Sequence, residues 1–341
     1  MNLGELPMIA FTVLSQMCVG AFIVLGLVQT IGATRYSNRA IDRLADPALF
    51  AIGPALVAGL IASMFHMHDV FNVLNVFRHW DSSWLSREII FGMLFAGLGF
   101  LFFIMQALKL GSATVRRVLA LITAAAGVGL VIAQCQIYYS LPTVPAWNSW
   151  ATWVQFFGTT LLLGALSVAM AFVLVVARRQ RREAILGDDQ LAAQASVEDG
   201  SGSLGDRLKA FFADAEVADA ETRNEVNTLL GQSVRAMVTL AVLMAGVLLI
   251  AMPLYISTLS GMGPDGQASA AHYATLFAGV RFTLLAVGAF LLGLLAFYYA
   301  GFGIKRLASL AYLLIGSFVL VLIGEFMGRA LFYEVMVRVG V

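Results

Sequence analysis

The amino-acid sequence predicts an all-α integral membrane protein with about eight transmembrane helices. Hydrophobic residues occupy 60% of its 341 positions and charged residues only 12%, about half of the roughly 25% that soluble domains carry. The apolar residues fall in runs of about 20, the length that a helix needs to cross roughly 30 Å of hydrocarbon. Helices are predicted because a chain in lipid must satisfy its backbone hydrogen bonds internally, and the sequence lacks the alternating pattern of a membrane β-barrel.

The first four predicted spans follow one another closely in the chain. The first is an apolar run near the N-terminus, longer than a signal-peptide core of about 7 to 15 residues and without a basic stretch before it. We therefore interpret it as a spanning helix. Short polar or charged segments separate it from the next three spans. These four spans cover residues 6–32, 46–67, 88–109 and 115–139.

The last four predicted spans are divided by a long polar segment, residues 178–232. Its Gly/Ser stretch at 200–205 is typical of a flexible linker. The stretch DRLKAFFADAEVADAETRNEVNTLL has the apolar spacing of a helix, which would lie near the membrane surface. The four spans cover residues 149–177, 233–257, 275–299 and 306–328. The chain is thus divided into residues 1–177 with five spans, a polar cytoplasmic insertion at 178–232, and residues 233–341 with three spans.

The distribution of arginine and lysine predicts the orientation. Basic residues concentrate in the loops after the first, third, fifth and seventh spans, and the other side is poor in them. Because basic loops stay in the cytoplasm, both termini are predicted on the opposite, periplasmic side. The residues concerned are Arg35, Arg39, Arg43, Lys109, Arg116, Arg117, Arg178, Arg179, Arg181, Arg182, Lys305 and Arg306.

Four polar side chains are predicted to meet at the outer ends of the spans. They are Gln16 in the first span, His66 at the end of the second, Glu88 at the start of the third and Tyr138 at the end of the fourth. Polar groups are costly at membrane depth and are therefore often retained for function. Histidine titrates near neutral pH, and burial favours the neutral form of a carboxylate, so the pair can exchange protons.

Each of these residues also has a simpler interpretation. His66 can be an interfacial residue, and Glu88 can balance charge in a first helical turn. Glu325 and Arg329 stand four positions apart in GEFMGR, a spacing that predicts a structural ion pair.

Other functional classes are less well supported by the residues. A b-type haem needs two imidazoles at matching depth, but His66 and His68 do not share a helix face, so we expect no haem. Cys18 and Cys135 lie alone in apolar runs, which predicts no metal site. The net charge of +1 does not indicate nucleic-acid binding. A proton-coupled transporter and a haem-containing quinol dehydrogenase subunit remain as alternatives, although a transporter should carry its polar residues near the membrane midplane.

Several ordered motifs resemble the anchor subunits of dimethyl sulfoxide reductase-type molybdoenzymes, the DmsC family. The opening ELPMIAFTVLSQMCVGAFIVLG resembles the first span of that family through Pro7, Phe11, Thr12 and Gln16. IASMFHMHDVFNVLNVFRHWDSSWLSREI is similar to the region where the family has a histidine, an F-N-x-L-N element and an L-S-x-E-I element. TVPAWNSW and GEFMGRALFY resemble two further family segments.

The resemblance implies a subunit of the bacterial inner membrane that carries no haem and oxidises menaquinol at its outer face. It implies that His66 and Glu88 bind and oxidise the quinol. Gln16 and Tyr138, predicted at the same outer ends of the spans, complete the expected quinone site. Electrons would pass to an iron–sulfur subunit with four clusters and then to a molybdopterin catalytic subunit, both on the periplasmic side. Iron–sulfur clusters and molybdopterin are expected only in those partner subunits.

Overall fold

The structure is a computed structural model, and it describes residues 5–46, 49–64, 77–197, 205 and 219–338. These residues form α-helices joined by short turns and one-turn helices. A π-helical segment, Ala286–Leu292, joins two of the α-helices. The α-helices are α1 (Leu6–Gly32), α2 (Asn38–Ala45), α3 (Leu49–Met64), α4 (Trp84–Ala107), α5 (Ala113–Tyr139), α6 (Trp150–Val197), α7 (Ala220–Ser260), α8 (Gly263–Ala271), α9 (Leu276–Leu285), α10 (Gly293–Ala300) and α11 (Leu307–Glu334).

Seven helices in the described part are long and apolar enough to cross a membrane. They are α1, α4, α5, the part of α6 up to Arg182, α7, the unit formed by α9 and α10, and α11. The prediction of a helical, multi-pass membrane protein is therefore confirmed. The second predicted span corresponds to α3, which has 16 residues, and residues 65–76 lie outside the described part. The count of about eight spans and the side of the termini stay predictions.

The polar segment 178–232 is more helical than its composition predicted. Helix α6 continues past the basic run to Val197, and α7 begins at Ala220 rather than near residue 233. The Asp219 side chain accepts a hydrogen bond from the Thr222 N–H at 2.8 Å, which caps the start of α7. Two membrane helices thus extend into the polar segment. The rest of the predicted surface helix, residues 206–218, lies outside the described residues.

Paired glycines bring α1 and α6 into close contact. A Cβ atom added to Gly20 would lie 1.8 Å from the Thr160 carbonyl oxygen, and one added to Gly164 would lie 2.2 Å from the Gly20 carbonyl carbon. Small residues allow the two helix backbones to come this close. Close backbone contact of this kind provides the van der Waals packing that stabilises helix pairs in lipid. Helix α1 therefore lies at the centre of the bundle, in contact with α3, α5, α6 and α11.

Charged residues from the first and third predicted loops meet at one end of the bundle, which we call the arginine-rich end. Lys109 Nζ lies 3.0 Å from Asp42 Oδ2, and Arg116 Nη2 lies 2.9 Å from the same oxygen. Arg116 Nε also donates a hydrogen bond to Gln106 Oε1 at 2.8 Å. These contacts connect α2, α4 and α5. They place the first and third predicted loops at the same end of the bundle, as the orientation prediction requires.

Candidate polar site

Buried polar side chains gather at the opposite end of the bundle, which we call the tyrosine end. They come from helices that are distant in sequence and meet because α1 packs against α5, α6 and α11. All are at most 9% exposed. The set comprises Gln16 of α1, Glu88 in the first turns of α4, Gln134 and Tyr138 of α5, and Arg329 and Tyr333 of α11.

A hydrogen-bonded series of side chains runs through this site. Arg329 Nη2 donates to Gln16 Oε1 at 2.7 Å, and Gln16 Nε2 donates to Gln134 Oε1 at 3.0 Å. Gln134 Nε2 donates to Ser15 Oγ at 3.2 Å, and the Gln134 side chain also interacts with the Glu88 carboxylate. The two glutamines therefore connect an acid on α4 with a guanidinium on α11.

Two tyrosines form the second part of the site. The hydroxyl oxygens of Tyr138 and Tyr333 lie 3.1 Å apart and share a hydrogen bond. The Tyr138 ring packs edge-on against Trp147 and Phe332, with centroids 5.1 Å away in both cases. Trp147 Nε1 donates to the Phe332 carbonyl oxygen at 2.7 Å, which fixes the indole inside the bundle. Aromatic rings thus keep the tyrosine hydroxyls in one position.

Arg329 lies between these two parts. Its guanidinium carbon lies 3.6 Å from the centroid of the Phe156 ring, a cation–π contact. Within the described residues, Arg329 Nε and Nη1 are buried without a hydrogen-bond partner. Buried N–H donors normally find an acceptor, because leaving one unpaired costs about 1 to 3 kcal/mol. Two donors are therefore left, among the described residues, for an acceptor that enters the site.

The structure brings together three of the four predicted quinone-site residues. Gln16 and Glu88 are both connected to Gln134, and Tyr138 lies one helical turn further along α5. The fourth residue, His66, lies outside the described residues.

Glu325 and Arg329, expected to pair directly, make their hydrogen bonds with other residues. Glu325 Oε2 accepts from the Thr159 hydroxyl, and Arg329 donates to Gln16. The remaining Glu325 oxygen is buried without a hydrogen-bond partner among the described residues. Arg329 therefore belongs to the polar site, which its spacing from Glu325 did not indicate.

Sequence reasoning also missed Gln134 and Tyr333. A signal for Gln134 was available, since it stands four positions before Tyr138 and so shares its helix face. Tyr333 has the same relation to Arg329 on α11. Neither spacing shows which helices would face one another, and that arrangement makes these residues part of one site.

An apolar groove of about 480 Å³ lies at the tyrosine end, between α1, α9 and α11. Its walls are aliphatic or aromatic side chains near the start of α1, the start of α9 and the last turns of α11. Representative lining residues are Leu6, Ile9, Phe277, Phe326 and Ala330. The bundle thus has an apolar groove and a polar site at the same end, which suits a molecule with a polar head and an apolar tail.

Comparison with known proteins gives consistent matches to one family. The family model for the DMSO reductase anchor subunit (DmsC) matches residues 1–187, slightly more than half of the chain. That region contains Gln16, Glu88, Gln134 and Tyr138, whereas Arg329 and Tyr333 lie beyond it.

Three curated relatives are similar over about half of the chain. The C subunit of the anaerobic dimethyl sulfoxide reductase of Escherichia coli strain K12 is 32% identical over 173 residues, which are 50% of this chain and 59% of the relative. The subunit of the same name from Haemophilus influenzae is 30% identical over 183 residues, 53% of this chain and 63% of the relative. The YnfH subunit of an E. coli anaerobic dimethyl sulfoxide reductase is 30% identical over 165 residues, 48% of this chain and 56% of the relative. The chain therefore spans less than two thirds of the length of these relatives.

Proposed function

Because the chain belongs to the DMSO reductase anchor subunit (DmsC) family, we propose that it oxidises menaquinol at the tyrosine end and anchors a molybdoenzyme complex. The two electrons pass to an iron–sulfur subunit with four clusters and from there to a molybdopterin catalytic subunit. The complex lies in the bacterial inner membrane, with both partner subunits on the periplasmic side. Its similarity to subunits of dimethyl sulfoxide reductases supports the class of complex.

The observation that carries the proposal is the buried series from Glu88 through Gln134 and Gln16 to Arg329. Oxidation of a quinol to a quinone releases two electrons and two protons, so the site needs proton acceptors and groups that hold both oxygens. The Glu88 carboxylate supplies an acceptor. The unpaired Arg329 N–H groups supply donors for the oxygen that becomes a carbonyl.

Each residue has a distinct role in this proposal. Glu88 accepts one proton, and His66 hydrogen-bonds the other hydroxyl and accepts the second proton. Gln134 and Gln16 orient Glu88 and Arg329 relative to each other, because each amide is fixed by a further hydrogen bond. Tyr138 forms the wall of the site that packs against Trp147 and Phe332. The isoprenoid tail occupies the apolar groove lined by Ile9 and Ala330.

Glu88→Gln tests the role of the carboxylate. The amide keeps the shape and hydrogen bonding of the side chain but cannot accept the proton, and a positioned general base contributes roughly 100-fold or more to rate. We expect kcat for menaquinol oxidation by the assembled complex to fall by about 100-fold. The measurement is the rate of quinol oxidation coupled to reduction of the iron–sulfur partner.

Asp81→Asn is the matched control, because Asp81 is an exposed carboxylate seven positions before Glu88. It should leave the rate within about twofold of the unmodified complex. His66→Gln, compared with the exposed His79→Gln, tests the second acceptor in the same assay. Equal rates for Glu88→Gln and Asp81→Asn would contradict the proposed site.

A further inference from the structure

A second groove lies at the arginine-rich end, between the last turns of α1 and the first half of α7. Its volume is about 380 Å³, and most of its lining is aliphatic. Polar lining residues, among them Arg35, Tyr36 and Gln232, gather where α1 ends. Tyr36 Oη donates a hydrogen bond to Gln232 Oε1 at 2.9 Å, which connects the two walls. The groove is thus apolar along its length and polar at one end.

The length of the groove matches one leaflet of a bilayer. On α7 the lining from Gln232 at the polar end to Leu240 is about 12 Å long at a rise of 1.5 Å per residue. On α1 it runs from Val24 to Gly32, about 12 Å. Half of the hydrocarbon core is roughly 15 Å thick. An acyl chain that enters from the headgroup region would therefore be covered along most of its length.

The charge at the polar end is positive. The Arg35 side chain is exposed, and the part of the chain that the structure describes gives its guanidinium no carboxylate partner. The carboxylate of Glu225 is held by Ser37, whose N–H and hydroxyl both donate to it. By contrast, Lys109 and Arg116 at the same end are both paired with Asp42. Among the residues that the structure describes, Arg35 is therefore a cation whose charge no carboxylate offsets.

We propose that this groove binds an anionic phospholipid from the leaflet at the arginine-rich end. The phosphate lies against Arg35 and the amide N–H groups of Gln232, and one acyl chain lies along the aliphatic lining of α1 and α7. A zwitterionic lipid such as phosphatidylcholine carries its own cation beside the phosphate, so it has no net charge to offset that of Arg35. Inorganic phosphate would leave the aliphatic lining uncovered. Since Arg35 and Tyr36 lie in the turn after α1 and Gln232 lies on α7, the lipid stabilises the contact between the end of α1 and α7.

Native mass spectrometry of the full-length protein in mild detergent tests the proposal. The protein is incubated with phosphatidylglycerol or with phosphatidylcholine that carries the same acyl chains. We expect the unmodified protein to retain phosphatidylglycerol preferentially. Arg35→Gln should lower that retention by roughly fivefold, the effect of one basic residue near a membrane surface. Arg178→Gln is the control, because Arg178 is an exposed arginine of α6 that does not line the groove. This variant should retain the lipid as the unmodified protein does.

A second pair of variants tests the apolar part of the groove. Ala236 is an exposed lining residue of α7, so Ala236→Trp should fill the groove and abolish retention of both lipids, whereas Ala236→Ser should not. Equal retention of the two lipids, or of phosphatidylglycerol by Arg35→Gln and Arg178→Gln, would overturn the proposal. Unchanged retention by Ala236→Trp, or displacement of the lipid by a neutral quinone analogue, would also overturn it. If Ala236→Trp does not fold, the arginine pair decides the question.

Discussion

At the scale of single residues, Arg329 combines charge, burial and unused hydrogen-bond donors. Its side chain is 3% exposed, and its guanidinium is held by Gln16 on one side and by the Phe156 ring on another. Lysine cannot reproduce this arrangement, because it has a single nitrogen and no planar group that stacks on a ring. The residue therefore offers a test that separates binding of a head group from stability of the bundle.

Arg329→Lys should raise KM for menaquinol by about 10- to 100-fold, because a hydrogen bond from a charged donor contributes roughly 1.5 to 3 kcal/mol. Steady-state kinetics of the assembled complex give KM and kcat separately. Arg235→Lys is the control, because Arg235 also stacks on a ring, with its guanidinium carbon 4.4 Å from the Phe297 centroid, but lies on α7, away from the tyrosine end. A lower melting temperature for Arg329→Lys with an unchanged KM would assign Arg329 a purely structural role.

The residues of the candidate site were predictable to different degrees. Gln16, Glu88 and Tyr138 could be selected because each is polar and lies in or beside an apolar run. The hydrogen-bond partner of Arg329 could not be predicted, since spacing along one helix indicates Glu325 whereas packing between helices supplies Gln16. The sequence thus shows which polar residues are candidates for the site. It does not show which of them form hydrogen bonds between helices, because that depends on which helix faces meet.

At the scale of helices, the crossing of α1 and α6 depends on Gly20 and Gly164. The added Cβ of Gly164→Ala would lie 2.2 Å from a backbone atom of Gly20, and a backbone atom cannot move away without shifting the whole helix. We expect this substitution to destabilise the protein by about 1 to 3 kcal/mol, the range for overpacked cores. The effect is measured by heating the protein in detergent and monitoring the loss of the monodisperse species.

Gly97→Ala is the matched control for this prediction. Gly97 lies in α4 with an exposed surface, and an added Cβ would have no atom within 4 Å in the described structure. Alanine is also more favourable than glycine in a helix, by about 1 kcal/mol. The control should therefore unfold at the same temperature as the unmodified protein or above it. Equal unfolding temperatures for the two variants would show that the crossing tolerates a larger separation.

Helix boundaries in the polar segment could not be predicted from hydropathy. The change in composition near residue 178 marks where the chain leaves the apolar region, but the Ala-, Gln- and Arg-containing sequence beyond it still favours a helix. Helix α6 therefore continues to Val197. The π-helical segment at Ala286–Leu292 has no clear signal either, although the Ser317 hydroxyl donates to the Gly288 carbonyl oxygen at 2.8 Å and so satisfies one of its acceptors.

At the scale of the whole molecule, the two ends of the bundle have different chemistry. The arginine-rich end contains ion pairs between α2, α4 and α5. The tyrosine end contains the buried series from Glu88 to Arg329 and an apolar groove. Menaquinol oxidation coupled to periplasmic partners requires the tyrosine end to face the periplasm. The orientation therefore determines whether the proposed site can serve the proposed partners.

Cysteine labelling tests this orientation directly. The native thiols of Cys18 and Cys135 are at most 1% exposed, so the unmodified protein should react little with a membrane-impermeant maleimide. Asp81→Cys and Ser140→Cys place exposed thiols at the tyrosine end, and Leu110→Cys places one at the arginine-rich end. Because basic loops remain in the cytoplasm, we expect the first two variants to be labelled in intact spheroplasts and the third only after the membrane is permeabilised. Labelling of Leu110→Cys in intact spheroplasts, with Asp81→Cys and Ser140→Cys protected, would place the tyrosine end in the cytoplasm and contradict quinol oxidation at the outer face.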